Sequence, residues 1–139
     1  MKLYSTRILA LAAEIPCVGR LENPDASLRK RAPLCGSTVT VDINVRDGRI
    51  SEYRQDVKAC ALGQASASIM GSAAVGCTLE DIRNARNALH DMLKNGGPVP
   101  EAPFDGLEVL QPAADYKNRH ASILLAYDAT LEAFESLQS

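Results

Sequence analysis

The clearest pattern along the chain is a strict alternation of hydrophobic and polar positions in residues 38–45. Such alternation is typical of a β-strand with one buried face. The hydrophobic positions are Val39, Val41, Ile43 and Val45. Asp47-Gly48 comes next, a pair that favours a two-residue hairpin turn because both residues adopt positive φ readily. The sequence therefore predicts an antiparallel hairpin centred on this pair.

The return strand is predicted over about residues 49–57. Ile50 and Tyr53 fall out of the period-two pattern, which indicates a bulge or an exposed edge. Residues 16–33, before the hairpin, are polar and rich in turn-forming residues, so we expect an extended loop there. The predicted sheet is small: a hairpin, with room for a third strand.

Helical periodicity accounts for most of the remaining chain. Hydrophobic spacing predicts a first helix around Ile8, and a helix of small residues follows Cys60. Thr78, with Asp81 three positions later, predicts the capped start of the next helix. The last helix is predicted over about residues 117–137. This order predicts a single α+β domain, residues 1–139, in which helices pack on one face of a small antiparallel sheet.

The overall charge argues against a general affinity for nucleic acid. Fifteen Lys and Arg against seventeen Asp and Glu give a formal net charge of −2, whereas nucleic-acid binding needs a basic surface. The apolar stretch in residues 8–13 is short and ends at Glu14, so we expect neither a signal peptide nor a membrane span. The four cysteines do not resemble a disulfide framework, and we expect thiols in a reducing cytoplasm.

Three residues at the ends of predicted elements are candidates for chemistry: Cys35, Cys60 and His120. The backbone N–H groups and dipole at a helix start stabilise anions, so the position of Cys60 favours a thiolate, which is both a nucleophile and a metal ligand. Gly36 allows a close backbone approach beside Cys35. A helix start disfavours a cationic imidazole, which leaves His120 neutral and able to ligate a metal. Each residue alone could instead be structural.

The remaining cysteines and the second histidine are interpreted as structural or incidental. Cys17 lies in the predicted loop, Cys77 lies at a helix start without glycine-rich surroundings, and His90 is expected on the surface. The spacing of Cys35, Cys60 and His120 matches no zinc-finger pattern, so spacing alone leaves the function open.

Three short segments surround these candidates: Cys35-Gly36-Ser37, Cys60-Ala61-Leu62-Gly63-Gln64-Ala65-Ser66-Ala67-Ser68 and His120-Ala121-Ser122-Ile123-Leu124. Together these three islands of sequence resemble the IscU/NifU N-terminal family of iron–sulfur cluster scaffolds. The resemblance covers about residues 19–134 and implies an IscU/SufE-like fold. It also implies a scaffold that accepts sulfur from a cysteine desulfurase, binds iron, and holds a transient [2Fe–2S] cluster before passing it to acceptor apo-proteins. By this resemblance Cys35, Cys60 and His120 are the ligands of the cluster or of iron, and zinc could bind at the same site.

The chain departs from the family pattern at three places. Ala121 stands where the family has a third cysteine, and Ser37 replaces a carboxylate. The Leu-Pro-Pro-Val-Lys motif read by a dedicated chaperone is absent, since residues 114–118 differ from it. A [2Fe–2S] cluster usually has four protein ligands. A homodimer sharing the cluster, an external thiol or Cys17 could supply what Ala121 does not.

Two other functions remain open. A SufE-like sulfur-relay protein needs only one accepting cysteine, Cys35 or Cys60. A non-enzymatic module could bind a desulfurase or a metal and regulate assembly. No acid–base pair or nucleophile–base pair can be named from the sequence, so we do not expect an enzyme.

Overall fold

A computed structural model describes residues 3–33 and 36–138 of the chain. Its elements, in chain order, are α1 (Thr6–Ala13), β1 (Ala26–Arg31), β2 (Thr38–Arg46), β3 (Arg49–Lys58), α2 (Ala61–Ala73), α3 (Leu79–Asn95), two 3₁₀ helices (Asp105–Asp115 and Lys117–Arg119) and α4 (His120–Glu135). The described chain is an α+β fold, as predicted. None of its helices is long and apolar enough to cross a membrane.

The predicted hairpin is confirmed, including its turn and its irregularity. Strand β2 pairs with β3 in antiparallel register, and the turn residues Asp47 and Gly48 have φ of 53° and 76°. The register shifts between Asn44 and Val45, because Asn44 pairs with Glu52 whereas Val45 pairs with Ile50. One extra residue on β3 therefore forms a bulge, which explains why Ile50 and Tyr53 break the alternation and yet are both buried.

The prediction of a loop throughout residues 16–33 was wrong. Strand β1 lies within that segment and pairs antiparallel with β2, which gives the sheet order β1-β2-β3. The sequence did not predict this strand because only Ala26 is buried, and its exposed positions are Ser27 and the cations Arg29 and Arg31. Charged residues on an edge strand are a common protection against strand-to-strand aggregation. Here they produced the composition of a loop.

The face of the sheet that packs on the helices is apolar. Cross-strand rows place Ala26, Ile43 and Tyr53 side by side on this face. Helix α4 contacts β1 and β2, and α2 contacts β3 and α4. Helix α2 is central, as its small residues predicted, and most of its side chains are buried. The helices therefore cover one face of the sheet.

The ends of the later helices follow local rules. Thr78 and Asp81 form a reciprocal capping box at the start of α3, and Gly96, with φ of 66°, ends this helix. The last helix is shorter than the predicted 117–137, because residues 105–119 form 3₁₀ turns and α4 begins at His120. This places His120 in the first turn of α4, as expected.

The outer face of the sheet carries a buried carboxylate. Asp42 on β2 is fully buried and accepts hydrogen bonds from Arg20 Nε at 2.7 Å, from Ser27 Oγ at 2.6 Å and from the Leu21 backbone N–H at 3.0 Å. Burial acts to raise the pKa of Asp42, but these hydrogen bonds outweigh burial and hold the pKa below its usual range. The ion pair fastens the segment before β1 onto the sheet.

Replacing Asp42 by asparagine is expected to lower the free energy of unfolding by about 2 kcal/mol near neutral pH, because a hydrogen-bonded buried charge is lost. A carboxyl with a depressed folded pKa stabilises the fold above its unfolded pKa of about 4, and that stabilisation is lost as pH falls through the folded pKa. Urea unfolding of both proteins across the acid range measures this. The two stability curves should converge at low pH; a constant offset would contradict the assignment.

Candidate functional site

Cys60 lies between the end of β3 and the start of α2. It is the N-cap residue of α2, with extended backbone angles of φ −67° and ψ 168°, and its side chain caps no backbone N–H. The residue is half-buried. The thiol therefore lies near the unpaired N–H groups of a helix N-terminus, an environment that favours an anion. The structure confirms the position that the sequence predicted.

Two serine hydroxyls connect Cys60 to the start of β2. Ser122 Oγ on α4 lies 3.5 Å from Cys60 Sγ and 3.0 Å from Ser37 Oγ. Both serines are buried. The backbone also ties this corner, since Ala32 N–H donates to the Ser37 carbonyl at 2.8 Å and Gly36 N–H donates to the Ala32 carbonyl at 3.1 Å. The structure thus brings together residues from the start of β2, the start of α2 and the start of α4.

Sequence reasoning did not identify Ser122 as a neighbour of Cys60. The only signal available was Gly63, a glycine in the first turn of a helix. A Cβ at Gly63 would lie 2.5 Å from Ser122 Oγ, 2.9 Å from Ala59 Cβ and 3.1 Å from the Ser122 carbonyl oxygen. Only glycine allows α2 and α4 to approach this closely, and the approach puts Ser122 beside Cys60.

His120 is buried and its ring is held from one side. Nε2 lies 3.0 Å from the Ala113 carbonyl oxygen and 3.1 Å from the Ala114 carbonyl oxygen. Both partners are acceptors, so Nε2 carries the proton and donates. Burial lowers the pKa of His120 and outweighs the opposing effect of the Ala113 carbonyl, and nearby Lys94 lowers this pKa further. The imidazole is therefore neutral at neutral pH.

Among residues 3–33 and 36–138, the other ring nitrogen of His120 has no hydrogen-bond partner although it is buried. Burying a polar atom without a partner costs free energy, and such an atom in a native fold requires an explanation. With Nε2 protonated, Nδ1 presents a lone pair. A neutral imidazole fixed through one nitrogen by carbonyl oxygens is the usual state of a metal-ligating histidine. The lone pair of Nδ1 on a neutral ring is therefore what a metal-ligating histidine would present.

The structure joins Cys60 to Ser122 but shows no hydrogen bond between Cys60 and His120. Positions 120 and 122 of a helix differ by about 200° in direction, so the two side chains leave α4 on different sides. In residues 3–33 and 36–138, no group of three or more His, Cys, Asp and Glu side chains forms a metal-binding cluster. Cys35, the third predicted ligand, lies outside the described residues. It stands two positions before Ser37 in the sequence.

The other candidates lie elsewhere. Cys17 Sγ donates to the Gly71 carbonyl oxygen at 3.6 Å, near the far end of α2 and about 16 Å along that helix from Cys60. Cys17 therefore cannot supply the missing ligand within one chain. Cys77 is buried and bonds the Ala73 carbonyl, and burial raises the pKa of its thiol to about 11, which is the structural role expected. His90 is half-buried.

Comparison with known proteins agrees with this geometry. Residues 3–122, which include Cys35, Cys60 and His120, match the family described as the NifU-like N terminal domain. The chain belongs to this family. The assignment agrees with the three islands of sequence and with the observed α+β fold.

Individual relatives extend the match to nearly the whole chain. The N-terminal part of a nitrogen-fixing NifU-like protein from Brucella abortus has 43% sequence identity and a TM-score of 0.96, over 98% of this chain and 94% of that one. The iron–sulfur cluster assembly scaffold protein IscU of Thermotoga maritima is 24% identical over 97% of this chain and 94% of its own length. A putative SUF-system scaffold protein from Fervidobacterium islandicum has the same fold, with a TM-score of 0.85 at 20% identity over 95% of this chain and 96% of that one.

Proposed function

We propose that this chain is an iron–sulfur cluster assembly scaffold or carrier. It accepts sulfur from a cysteine desulfurase, binds iron, holds a transient [2Fe–2S] cluster and passes the cluster to acceptor apo-proteins. The observation that carries the proposal is the half-buried Cys60 thiol at the N-terminus of α2, in a chain of the NifU-like N terminal domain family. The full-length match to a protein named an assembly scaffold supports the same role.

In this proposal Cys60 receives sulfur. Its thiolate attacks the terminal sulfur of a persulfide on the donor, the S–S bond of the donor breaks, and the donor cysteine leaves as a thiolate. Cys60 becomes a persulfide, and no external oxidant or reductant is needed. Ser122, 3.5 Å from Cys60 Sγ, holds the thiol in place by a sulfur–hydroxyl contact.

Cys35, Cys60 and His120 are the proposed ligands of the cluster. His120 Nδ1, buried and without a hydrogen-bond partner among the described residues, offers the lone pair that a metal would take. Because His120 and Ser122 leave α4 on different sides, the His120 ring must turn towards Cys60 for both residues to bind one cluster. Three ligands fall one short of the usual four for a [2Fe–2S] cluster. Because Cys17 is too far away, the fourth ligand comes from a second copy of the chain or from an external thiol. A zinc ion at the same three residues would keep one open position.

A sulfur-relay protein is the second candidate, and Ala121 is the observation that favours it. Alanine has no ligand atom where the family has a third cysteine, so the chain could take and pass on sulfur without building a cluster. The chain would then need only one accepting cysteine. Among the described residues, Cys17, Cys60 and Cys77 are free thiols. Either role needs a reducing compartment such as the cytoplasm, where thiols stay reduced.

Anaerobic reconstitution tests the proposal. The protein is incubated with ferrous iron, cysteine and a cysteine desulfurase, and visible absorption, iron and acid-labile sulfide are measured. A [2Fe–2S] spectrum with iron and sulfide in near-equal amounts is the expected result. The Ala121→Cys variant restores a direct ligand. Its cluster should survive a chelator about tenfold longer or more, because even a change in a residue that only contacts a ligand alters metal affinity by roughly 10–100-fold.

The other outcomes separate the alternatives. No cluster, with a persulfide on Cys60 or Cys35 by mass spectrometry, would replace the scaffold role by sulfur relay. Binding of the desulfurase with neither cluster nor persulfide would leave a regulatory module. The Ala121→Cys variant also distinguishes a protein that lost cluster assembly through this one position from a protein that never had a site.

A further inference from the structure

The charge of the chain is unevenly distributed over the sheet. Its formal net charge is −2, yet the outer face of the sheet is basic. Three of the in-register rows on this face join Ser27, Asp42 and Arg54, then Arg29, Thr40 and Asp56, then Arg31, Thr38 and Lys58. With Arg20 on Asp42, these three rows carry five cations and two carboxylates, and the neighbouring row adds Glu52, which pairs with Asn44. Although the net charge of the chain is negative, this basic face is complementary in charge to an acidic surface on a partner.

The cations are concentrated at the end of the sheet that carries Cys60. The last of the three rows, Arg31–Thr38–Lys58, contains two exposed cations and no carboxylate, and we call it the basic row. Neighbouring strands are about 4.8 Å apart, so the two cations lie on either side of Thr38 within about 10 Å of each other. Within the described part of the chain, neither Arg31 nor Lys58 forms an ion pair.

The basic row borders the site directly. Lys58 ends β3 two positions before Cys60, and Thr38 follows Ser37, whose hydroxyl contacts Ser122. Arg31 reaches towards the same corner, because its Nη2 lies 3.9 Å from where a Cβ on Gly36 would stand. A protein that presents a sulfur atom to Cys60 from the side of the sheet therefore brings its own surface close to these cations.

We propose that the basic row is the docking surface for an acidic surface on the sulfur donor, around the cysteine that carries the transferred sulfur. This inference rests on the proposed function. The row positions the donor so that its persulfide meets Cys60 Sγ, and charge attraction accelerates the encounter. The attraction between exposed charges is screened by salt, so docking weakens as ionic strength rises.

Binding to the organism's own cysteine desulfurase tests the inference. The dissociation constant is measured for the unmutated protein and for Arg31→Glu/Lys58→Glu, and reversal of the two charges is expected to raise it by about tenfold or more. The charge-preserving variant Arg31→Lys/Lys58→Arg should bind like the unmutated protein. Raising NaCl from about 0.05 M to about 0.5 M should weaken binding of the unmutated protein and change that of the reversed variant little.

Arg46→Glu is the matched control. Arg46 is exposed at the other end of β2, about 27 Å from Thr38, so its reversal should leave the dissociation constant unchanged. Persulfide on Cys60, measured by mass spectrometry at saturating desulfurase, should form on the charge-reversed variant as on the unmutated protein. The dissociation constant thus reports docking alone, and the persulfide at saturating desulfurase reports sulfur transfer alone.

Three results would overturn the inference. Equal desulfurase binding by the unmutated and charge-reversed proteins would remove the basic row as a docking surface and leave the proposed function intact. No binding and no persulfide on the unmutated protein would remove both. Tighter binding to a short single-stranded RNA than to the desulfurase, lost on charge reversal, would assign the face to nucleic acid instead.

Discussion

Cys60→Ala is expected to abolish both persulfide formation and [2Fe–2S] assembly while the protein remains folded. The thiol is the group that accepts sulfur in the proposed function, and alanine offers neither a nucleophile nor a ligand. Cys60 is half-buried and its side chain caps no backbone group, so its loss should cost the fold about 1 kcal/mol or less. Anaerobic reconstitution, with mass spectrometry for the persulfide and thermal unfolding for the fold, measures both effects.

Cys17→Ser provides the control for Cys60→Ala. Cys17 is also a half-buried, unpaired thiol beside α2, but it contacts Gly71 near the opposite end of the helix. This variant should assemble the cluster and accept sulfur as the unmutated chain does. Equal losses in the two variants would show that sulfur reacts without regard to position, and would remove the special role of the α2 N-terminus.

Gly63→Val is expected to lower the free energy of unfolding by about 3 kcal/mol, because the added side chain would overpack the tight contact between α2 and α4. The first added carbon would lie 2.9 Å from Ala59 Cβ and 3.1 Å from the Ser122 carbonyl oxygen, neither of which can rotate away. For a chain of this length the melting temperature should fall on the order of 10 °C. Cluster assembly should fall as well, because separating α2 from α4 moves Ser122 away from Cys60.

Two variants make the Gly63 prediction specific. Ser72→Val places the same side chain on an exposed position of α2 and should change the melting temperature by no more than a few degrees. Adding Ser122→Ala to Gly63→Ala removes the hydroxyl that would lie 2.5 Å from the new Cβ, so the double variant should regain part of the lost stability. A melting temperature unchanged by Gly63→Val would refute the close approach of the helices.

Features fixed by neighbouring residues were predictable from the sequence. The Asp47-Gly48 turn, the bulge on β3, the Thr78 cap and the small-residue helix after Cys60 all appeared as expected. Each depends on backbone conformations or side-chain spacing within a few positions of the chain, where periodicity and turn chemistry carry the information. The positions of Cys60 and His120 at helix starts followed from the same local rules.

Features fixed by distant residues were missed or misread. Strand β1 exists because β2 offers it backbone partners, and its own composition of alternating exposed cations indicates a loop. The contact of Ser122 with Cys60 joins positions far apart in the chain, and no local pattern predicts it. The sequence leaves Cys17 open as a further ligand, and the fold excludes it by placing it beside Gly71.

The sequence by itself determined the family resemblance, the fold class and the candidate site residues, since these depend on residue types in a fixed order. Only the tertiary structure decided which groups surround them. It placed Ser122 against Cys60 through the glycine contact at Gly63, and it buried Nδ1 of His120 without a partner among the described residues. It also aligned Arg31 with Lys58 across β2. The physical reason is that cross-strand register and helix packing are set by the whole core, whereas local sequence specifies only the elements that enter it.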